Sequence, residues 1–364
     1  MPDKPLPKAW QKTQLMPRRE KGSALPRGTR LQEFVIEGLV GVGGFSIVYR
    51  ARDARLNRSV ALKEYIPAAL ATRGAGGAVV ARTPRHEAHY ALGLKSFIGE
   101  ARLLAAFDHP ALVKVLRFWA DNGSAYMAMP LYDGLTLHKW LATLGAPPSE
   151  AWLRALAAPL MEALDVLHRE RCFHRDIAPD NVLLLPDPMG GSYLEQRPRP
   201  LLLDFGAARR VIGEATQTLT AILKPGYSPI EQYAQDDTLR QGAWTDVYAL
   251  SALLYRAITG RVPNSAVARA VRDELAPVSQ LAAGRYSAAF LAGIDAGLAV
   301  RPEARPQSMA DLRDALDGCW FAPAPRVAPA PPPPPAAPPP PPPPPPPAPW
   351  WAAAAGWWRT LFRR

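Results

Sequence analysis

Phe173-His174-Arg175-Asp176-Ile177-Ala178-Pro179-Asp180-Asn181, followed downstream by Leu203-Asp204-Phe205-Gly206, is the part of the chain on which its reading turns. The first run sets a carboxylate, Asp176, ahead of an amide, Asn181; the second sets another carboxylate, Asp204, at the end of an apolar run. Taken singly, each residue has an ordinary explanation. Asp176 and Asp204 fit helix caps or turns, and His174 fits a hydrogen-bonded core histidine.

Upstream, Gly41-Val42-Gly43-Gly44-Phe45-Ser46-Ile47-Val48 joins two apolar runs. Glycine lets a backbone approach a phosphate chain closely, although an ordinary hairpin turn would use the same residues. Val60-Ala61-Leu62-Lys63 places a lysine in an apolar strand, which calls for an anionic ligand or a buried carboxylate. Glu100, in Phe97-Ile98-Gly99-Glu100-Ala101-Arg102-Leu103-Leu104, is a candidate for that carboxylate; alone it would read as a solvated helix face. Further downstream stand Pro229-Ile230-Glu231, Trp244-Thr245-Asp246-Val247-Tyr248 and Arg301-Pro302-Glu303-Ala304-Arg305.

In this order, the motifs resemble the eukaryotic-like, or Hanks-type, serine/threonine protein kinase family over residues 31–318. Lys63-Glu64-Tyr65-Ile66-Pro67, Ala71-Thr72-Arg73 and Lys224-Pro225-Gly226-Tyr227 resemble its bacterial branch more narrowly. The resemblance implies an α+β, two-lobed kinase fold: a small β-rich N-lobe (31–130) with one main helix, and a larger, mainly helical C-lobe (134–318). It also implies ATP with Mg²⁺ or Mn²⁺, protein substrates carrying serine or threonine, and autophosphorylation in bacterial signalling.

Roles follow from the same resemblance. Gly41, Gly43, Gly44 and Ser46 would cover the phosphates, and Lys63, held by Glu100, would clamp them. Asn181 and Asp204 would hold the metal, and Asp176 would orient the acceptor hydroxyl and take its proton. Val48 and Ala61 would lie above the adenine and Leu183 below it. Met129 occupies the gatekeeper position; Pro130 has no N–H, so the usual donor falls at Tyr132. Glu231, Asp246 and Arg305 stand at the family's structural positions.

Two residues depart from the family pattern. Ser46 replaces the third loop glycine, and Ala178 replaces a lysine that contacts the γ-phosphate. Lys224 stands where the activation segment usually has threonine. The lysine is therefore expected to have moved from 178 to 224, with its ammonium still reaching Asp176 or the γ-phosphate; the alternative is a surface lysine at 224. Ala178 also weakens the choice of serine and threonine over tyrosine. Thr216, Thr218 and Thr220 are candidate phosphorylation sites that would pair with Arg175. The alternative reading is a pseudokinase or scaffold that binds nucleotide or partners without transferring phosphate.

Periodicity agrees with two lobes. Residues 46–50, 60–63 and 126–129 read as strands and 94–107 as a helix; 150–168, 245–259, 288–299 and 309–316 read as helices. Residues 67–95 and 186–200, rich in Gly, Pro and charge, read as surface loops.

Hydrophobic residues are 48% of the 364, enough for a core, and the 42 prolines cluster in the tails. Residues 1–30 form a basic, Pro-rich tail expected to be disordered, and 319–349 a Pro/Ala-rich linker expected to be a polyproline II spacer open to a groove-binding partner. The net charge is +11, but residues 1–30 carry eight Lys or Arg against Asp3 and Glu20, and residues 319–364 carry four Arg and no acid. The middle is nearly neutral, which argues against a nucleic-acid-binding core. Cys172 and Cys319 make no disulfide framework, and there is no secretory signal or long apolar run, so a cytoplasmic location is expected. In the segment 350–364, Trp350, Trp351, Trp357, Trp358, Leu361 and Phe362 share one helical face beside Arg359, Arg363 and Arg364. That pattern suits peripheral contact with the anionic inner membrane surface or a protein partner's groove; a disordered end is the third reading.

Overall fold

The computed structural model describes residues 23–186, 197–204, 223–234 and 239–320. The expectations for residues 1–22, Phe205, Gly206, the three threonines, and the linker and tail beyond 320 lie outside the described residues.

Period-two alternation builds the first lobe. In β3 (Ser46–Asp53), Ile47, Tyr49, Ala51 and Asp53 are buried while Arg50 and Arg52 are exposed, as successive side chains leave opposite faces of a strand. Asp53 ends the strand by accepting the N–H groups of Arg55 and Leu56 at 3.1 Å each, an Asx turn that leads into β4 (Arg58–Tyr65). The six-stranded antiparallel sheet runs β1 (Arg30–Leu31), β2 (Phe34–Val42), β3, β4, β8 (Ser124–Pro130), β7 (Arg117–Asp121). Against it lies α1 (Glu87–Ala106), which buries Phe97, Glu100, Ala101 and Leu104.

Two sequence expectations are corrected here. Residues 67–95 are not a surface loop: β5 (Ala71–Arg73) and β6 (Val79–Ala81) pair as a hairpin, and α1 begins at Glu87, well before residue 94. The hairpin is held by burial of Leu70, Ala71 and Val79 and by the Val79 N–H, which donates to the Asn122 carbonyl at 2.8 Å. The folded region also starts before residue 31. Leu25 donates its N–H to the Tyr49 hydroxyl at 3.1 Å, and Arg73 Nε donates to the Ser23 carbonyl at 2.8 Å.

The second lobe is helical. Ser149 caps α2 (Glu150–Arg169) by accepting the Trp152 N–H at 3.2 Å, and His168 and Arg169 sit at the negative end of its dipole. Helix α3 (Ala243–Thr259) is buried on nearly every face and stops at Gly260, whose φ of 73° suits glycine. A small sheet of β9 (Leu135–Thr136), β10 (Val182–Leu185) and β11 (Arg199–Leu202) places Asn181 at one end of β10 and Asp204 just after β11. Among the described residues no helix is long and apolar enough to cross a membrane.

Candidate active site

The cleft between β2–β3 and the start of the second lobe encloses about 230 Å³ and is lined by Gly43, Ser46, Val48, Lys63, Glu100 and Asp204, among others. Gly41 and Gly44 line it too. Lys63 reaches into it from β4: its ammonium lies 2.7 Å from Asp204 Oδ1 and 3.8 Å from Glu100 Oε1. Glu100 is thus the acid that the apolar-strand lysine called for, and Asp204 is the nearer one.

Asp176 and Asn181 are held together. Asn181 Nδ2 donates to the Asp176 carbonyl at 2.7 Å and to Asp176 Oδ2 at 2.6 Å. The other carboxylate oxygen, Oδ1, lies 3.3 Å from Lys224 Nζ, with side-chain exposures of 26% for the lysine and 9% for the aspartate. Ala178, where the lysine was expected to be missing, is only 1% exposed. A small buried contact stands at 178, and a cation approaches the aspartate from 224.

The catalytic-loop backbone is anchored by one buried acid. Asp246 accepts the His174 and Arg175 N–H groups, each at 2.8 Å, and lies 2.8 Å from His168 Nε2. Burial alone would raise its pKa. The hydrogen bond and charge of His168, with the Arg175 N–H, outweigh burial and hold the carboxyl below its usual range. Burial pushes His174 down, so its ring is neutral: Nε2 donates to the Leu203 carbonyl at 3.0 Å, and Nδ1 accepts the Asp176 N–H at 3.3 Å. Arg175 and Asp204 have φ of 66° and 42°, left-handed values costing roughly 1–3 kcal/mol for a non-glycine residue. For Arg175 the strain is held by Asp246 and by Gln232, whose Nε2 donates to the Arg175 carbonyl at 2.8 Å.

At the inner end, Ala61 is in register with Met129 and Lys63 with Met127 across β4 and β8. Leu183 on β10 pairs with Thr136 on β9, and Gly134 is packed so closely that a Cβ would meet Leu183 Cγ at 2.9 Å. Val48, Ala61, Met129, Tyr132 and Leu183 are all half-buried, as residues facing an open cleft are.

Glu231 and Arg305 form a fully buried pair at 2.8 Å, with Thr245 Oγ1 donating to the same carboxylate at 3.0 Å. Arg305 also donates to the carbonyls of Ala299 and Val300. Removing one partner of a buried pair strands the other charge. Arg305→Leu should therefore cost about 3–5 kcal/mol of unfolding free energy. Urea denaturation of the full chain checks this, and a loss below about 1 kcal/mol would contradict it. His168, Gln232 and Thr245 were not singled out by sequence reading. The one signal available was polar residues inside otherwise apolar helical stretches.

Residues 34–283 match the family model described as protein kinase domain. The chain is similar to serine/threonine-protein kinase pkn2 of Myxococcus xanthus, 31% identical over 231 residues that make up 62% of this chain and 24% of that protein. It is also similar to serine/threonine-protein kinase PknB of Mycobacterium leprae, 31% identical over 287 residues, 76% of this chain and 41% of that one. The chain therefore spans about a quarter to two fifths of the length of these curated relatives. Among solved structures it is similar to PpkA-294 in its apo form, with a TM-score of 0.72 and 42% identity, covering 81% of this chain and 99% of that chain.

Proposed function

This chain belongs to the protein kinase family, and on that premise we propose that it transfers the γ-phosphate of ATP to serine and threonine hydroxyls of proteins, itself included. Its fold is the family's: a curled antiparallel sheet with one main helix, followed by a helical lobe. The family uses ATP and a divalent metal. The observation that carries the proposal is one juxtaposition: Lys63 and Glu100 meet Asp204 in the cleft, and the Leu203 N–H, donated to the Asn181 carbonyl at 2.8 Å, ties the Asp204 segment to the cluster of Asp176, Asn181 and Lys224.

The donor set fits Mg²⁺. Asn181 uses its amide N–H groups on Asp176, leaving the amide oxygen as its acceptor, and Asp204 offers a carboxylate that is 36% exposed. One or two carboxylate or amide oxygens, completed by phosphate oxygens and water, is the environment this ion prefers. When bound, the ion neutralises charge on the phosphates.

The chain's own residues do the rest. Lys63, oriented by Glu100, binds the α- and β-phosphates, and Gly41, Gly43, Gly44 and Ser46 cover them. Asp176 accepts the proton of the acceptor hydroxyl, its direction fixed by Asn181. Lys224 supplies the positive charge next to the transferring phosphoryl group that Ala178 does not. Val48, Ala61 and Leu183 enclose the adenine, with the backbone from Met129 to Tyr132 supplying polar contacts.

The test is phosphoamino-acid analysis of the chain and a general protein acceptor after incubation with γ-labelled ATP and Mg²⁺. Phosphoserine or phosphothreonine is the expected product. Label found only on tyrosine would refute the hydroxyl assignment, and Ala178 would then be its leading cause.

A further inference from the structure

The ladder between β3 and β4 does not stop at Tyr65. Ile66 donates its N–H to the Phe45 carbonyl at 3.1 Å, and Ala68 donates to the Gly44 carbonyl at 3.0 Å. Gly43, the remaining residue between β2 and β3, closes the turn by donating to the Ser46 carbonyl at 2.8 Å. The tip of the glycine-rich loop is thus fastened to the chain that follows the cleft lysine. A Cβ on Gly44 would meet nothing within 4 Å, so Gly44 itself is held by the Ala68 N–H, beside Phe45, which packs against the core.

That chain is itself anchored at its far end. Leu70 and Ala71 are buried, and Arg73 Nη2 lies 2.6 Å from Glu64 Oε2. Glu64 is fully buried, on the face of β4 opposite Lys63, and accepts the hydroxyls of Tyr49 at 2.7 Å and Tyr126 at 2.8 Å. Burial and the Glu64 charge raise the pKa of both tyrosines, which keeps them neutral donors. Residues 66–70 therefore run from a satisfied buried cluster to a loop tip in solvent.

We propose that residues 66–70 brace the glycine-rich loop over the nucleotide phosphates, with the Ala68 N–H as its positioning group. This rests on the ATP reading above. A loop ordered before binding loses less conformational freedom when phosphate arrives, so the brace contributes to ATP affinity through the phosphates alone. Adenosine has no phosphate and does not sense it.

Ala68→Pro is the direct test. The Pro67 carbonyl accepts the Leu70 N–H at 2.9 Å, so Ala68 is the first central residue of a turn, where the common turn types favour proline. The substitution removes the N–H and suits the turn. A backbone ester at position 68, which replaces the N–H by oxygen and adds no atoms, removes the same donor without the ring.

Calorimetric titration of the full chain with a non-hydrolysable ATP analogue plus Mg²⁺, and separately with adenosine, reads the effect. The analogue's Kd should rise about tenfold in both variants, the size of one net hydrogen bond, while that of adenosine stays within about twofold. Ala68→Ser, which keeps the N–H, should match wild type for both ligands. In the ester, equal weakening of the two ligands or no weakening of either would overturn the brace. A wild-type chain that bound neither ligand would overturn the nucleotide reading, and the brace with it.

Discussion

Lys224→Ala should slow phosphoryl transfer about a hundredfold while leaving ATP affinity within about twofold. The ammonium lies 3.3 Å from Asp176 Oδ1, against a carboxylate that is 9% exposed, in a part of the cleft where charge is weakly screened. Its effect should fall on turnover, because the charge it balances develops as the phosphoryl group moves. Binding energy from Lys63 and the glycine-rich loop is made before that step and survives the substitution. Lys224→Arg should fall between wild type and alanine: it keeps the charge but replaces a compact ammonium by a planar fork. Single-turnover rates at saturating ATP give the answer. A rate for Lys224→Ala within twofold of wild type would make Lys224 a surface lysine and leave Ala178 uncompensated.

The site was legible in the sequence wherever chemistry constrains residue type at fixed spacing. Lys63, Glu100 and Asp204 come from three distant segments and meet within 3.8 Å; the hydrogen bonds from Asn181 to Asp176 are an observation that the sequence reading did not contain. Lys224 stood out only through the resemblance, as a lysine where the family has threonine beside an alanine at 178. The two lobes and the long helices followed from periodicity, and the buried Glu231–Arg305 pair from the family's motif positions.

What was not legible depended on long-range partners or short elements. The hairpin strands β5 and β6 are three residues each, too short for alternation to register, and Gly74, Gly76 and Gly77 between them look like loop. Glu64 carried no local signal of being buried. Its partners Tyr49 and Tyr126 lie in the strands flanking β4, whose register brings them to it, and Arg73 reaches it from the β5–β6 hairpin. The attachment of Ser23 and Leu25 to the sheet is hidden for the same reason: a basic, proline-rich composition says nothing about which main-chain groups a distant arginine and tyrosine will reach.

Asp176→Asn bears on the central claim, that these residues form a working phosphotransfer centre. Asparagine keeps the size of the side chain and can still accept from Asn181 Nδ2, but it cannot take the hydroxyl proton and carries no charge to face Lys224. General-base catalysis contributes about 10²–10⁴ in rate, so a loss of about a thousandfold is expected. The proposed reading assigns ATP binding to other residues, so its affinity should change by no more than about threefold. The measurement is the rate of γ-phosphate incorporation from labelled ATP with Mg²⁺, wild type beside Asp176→Asn, with ATP binding followed in the same samples. The account predicts incorporation by the wild type that is lost in a variant still binding ATP. Equal incorporation by both proteins, or none by a wild type that binds ATP, would contradict it, and in the second case the chain would be a nucleotide-binding scaffold.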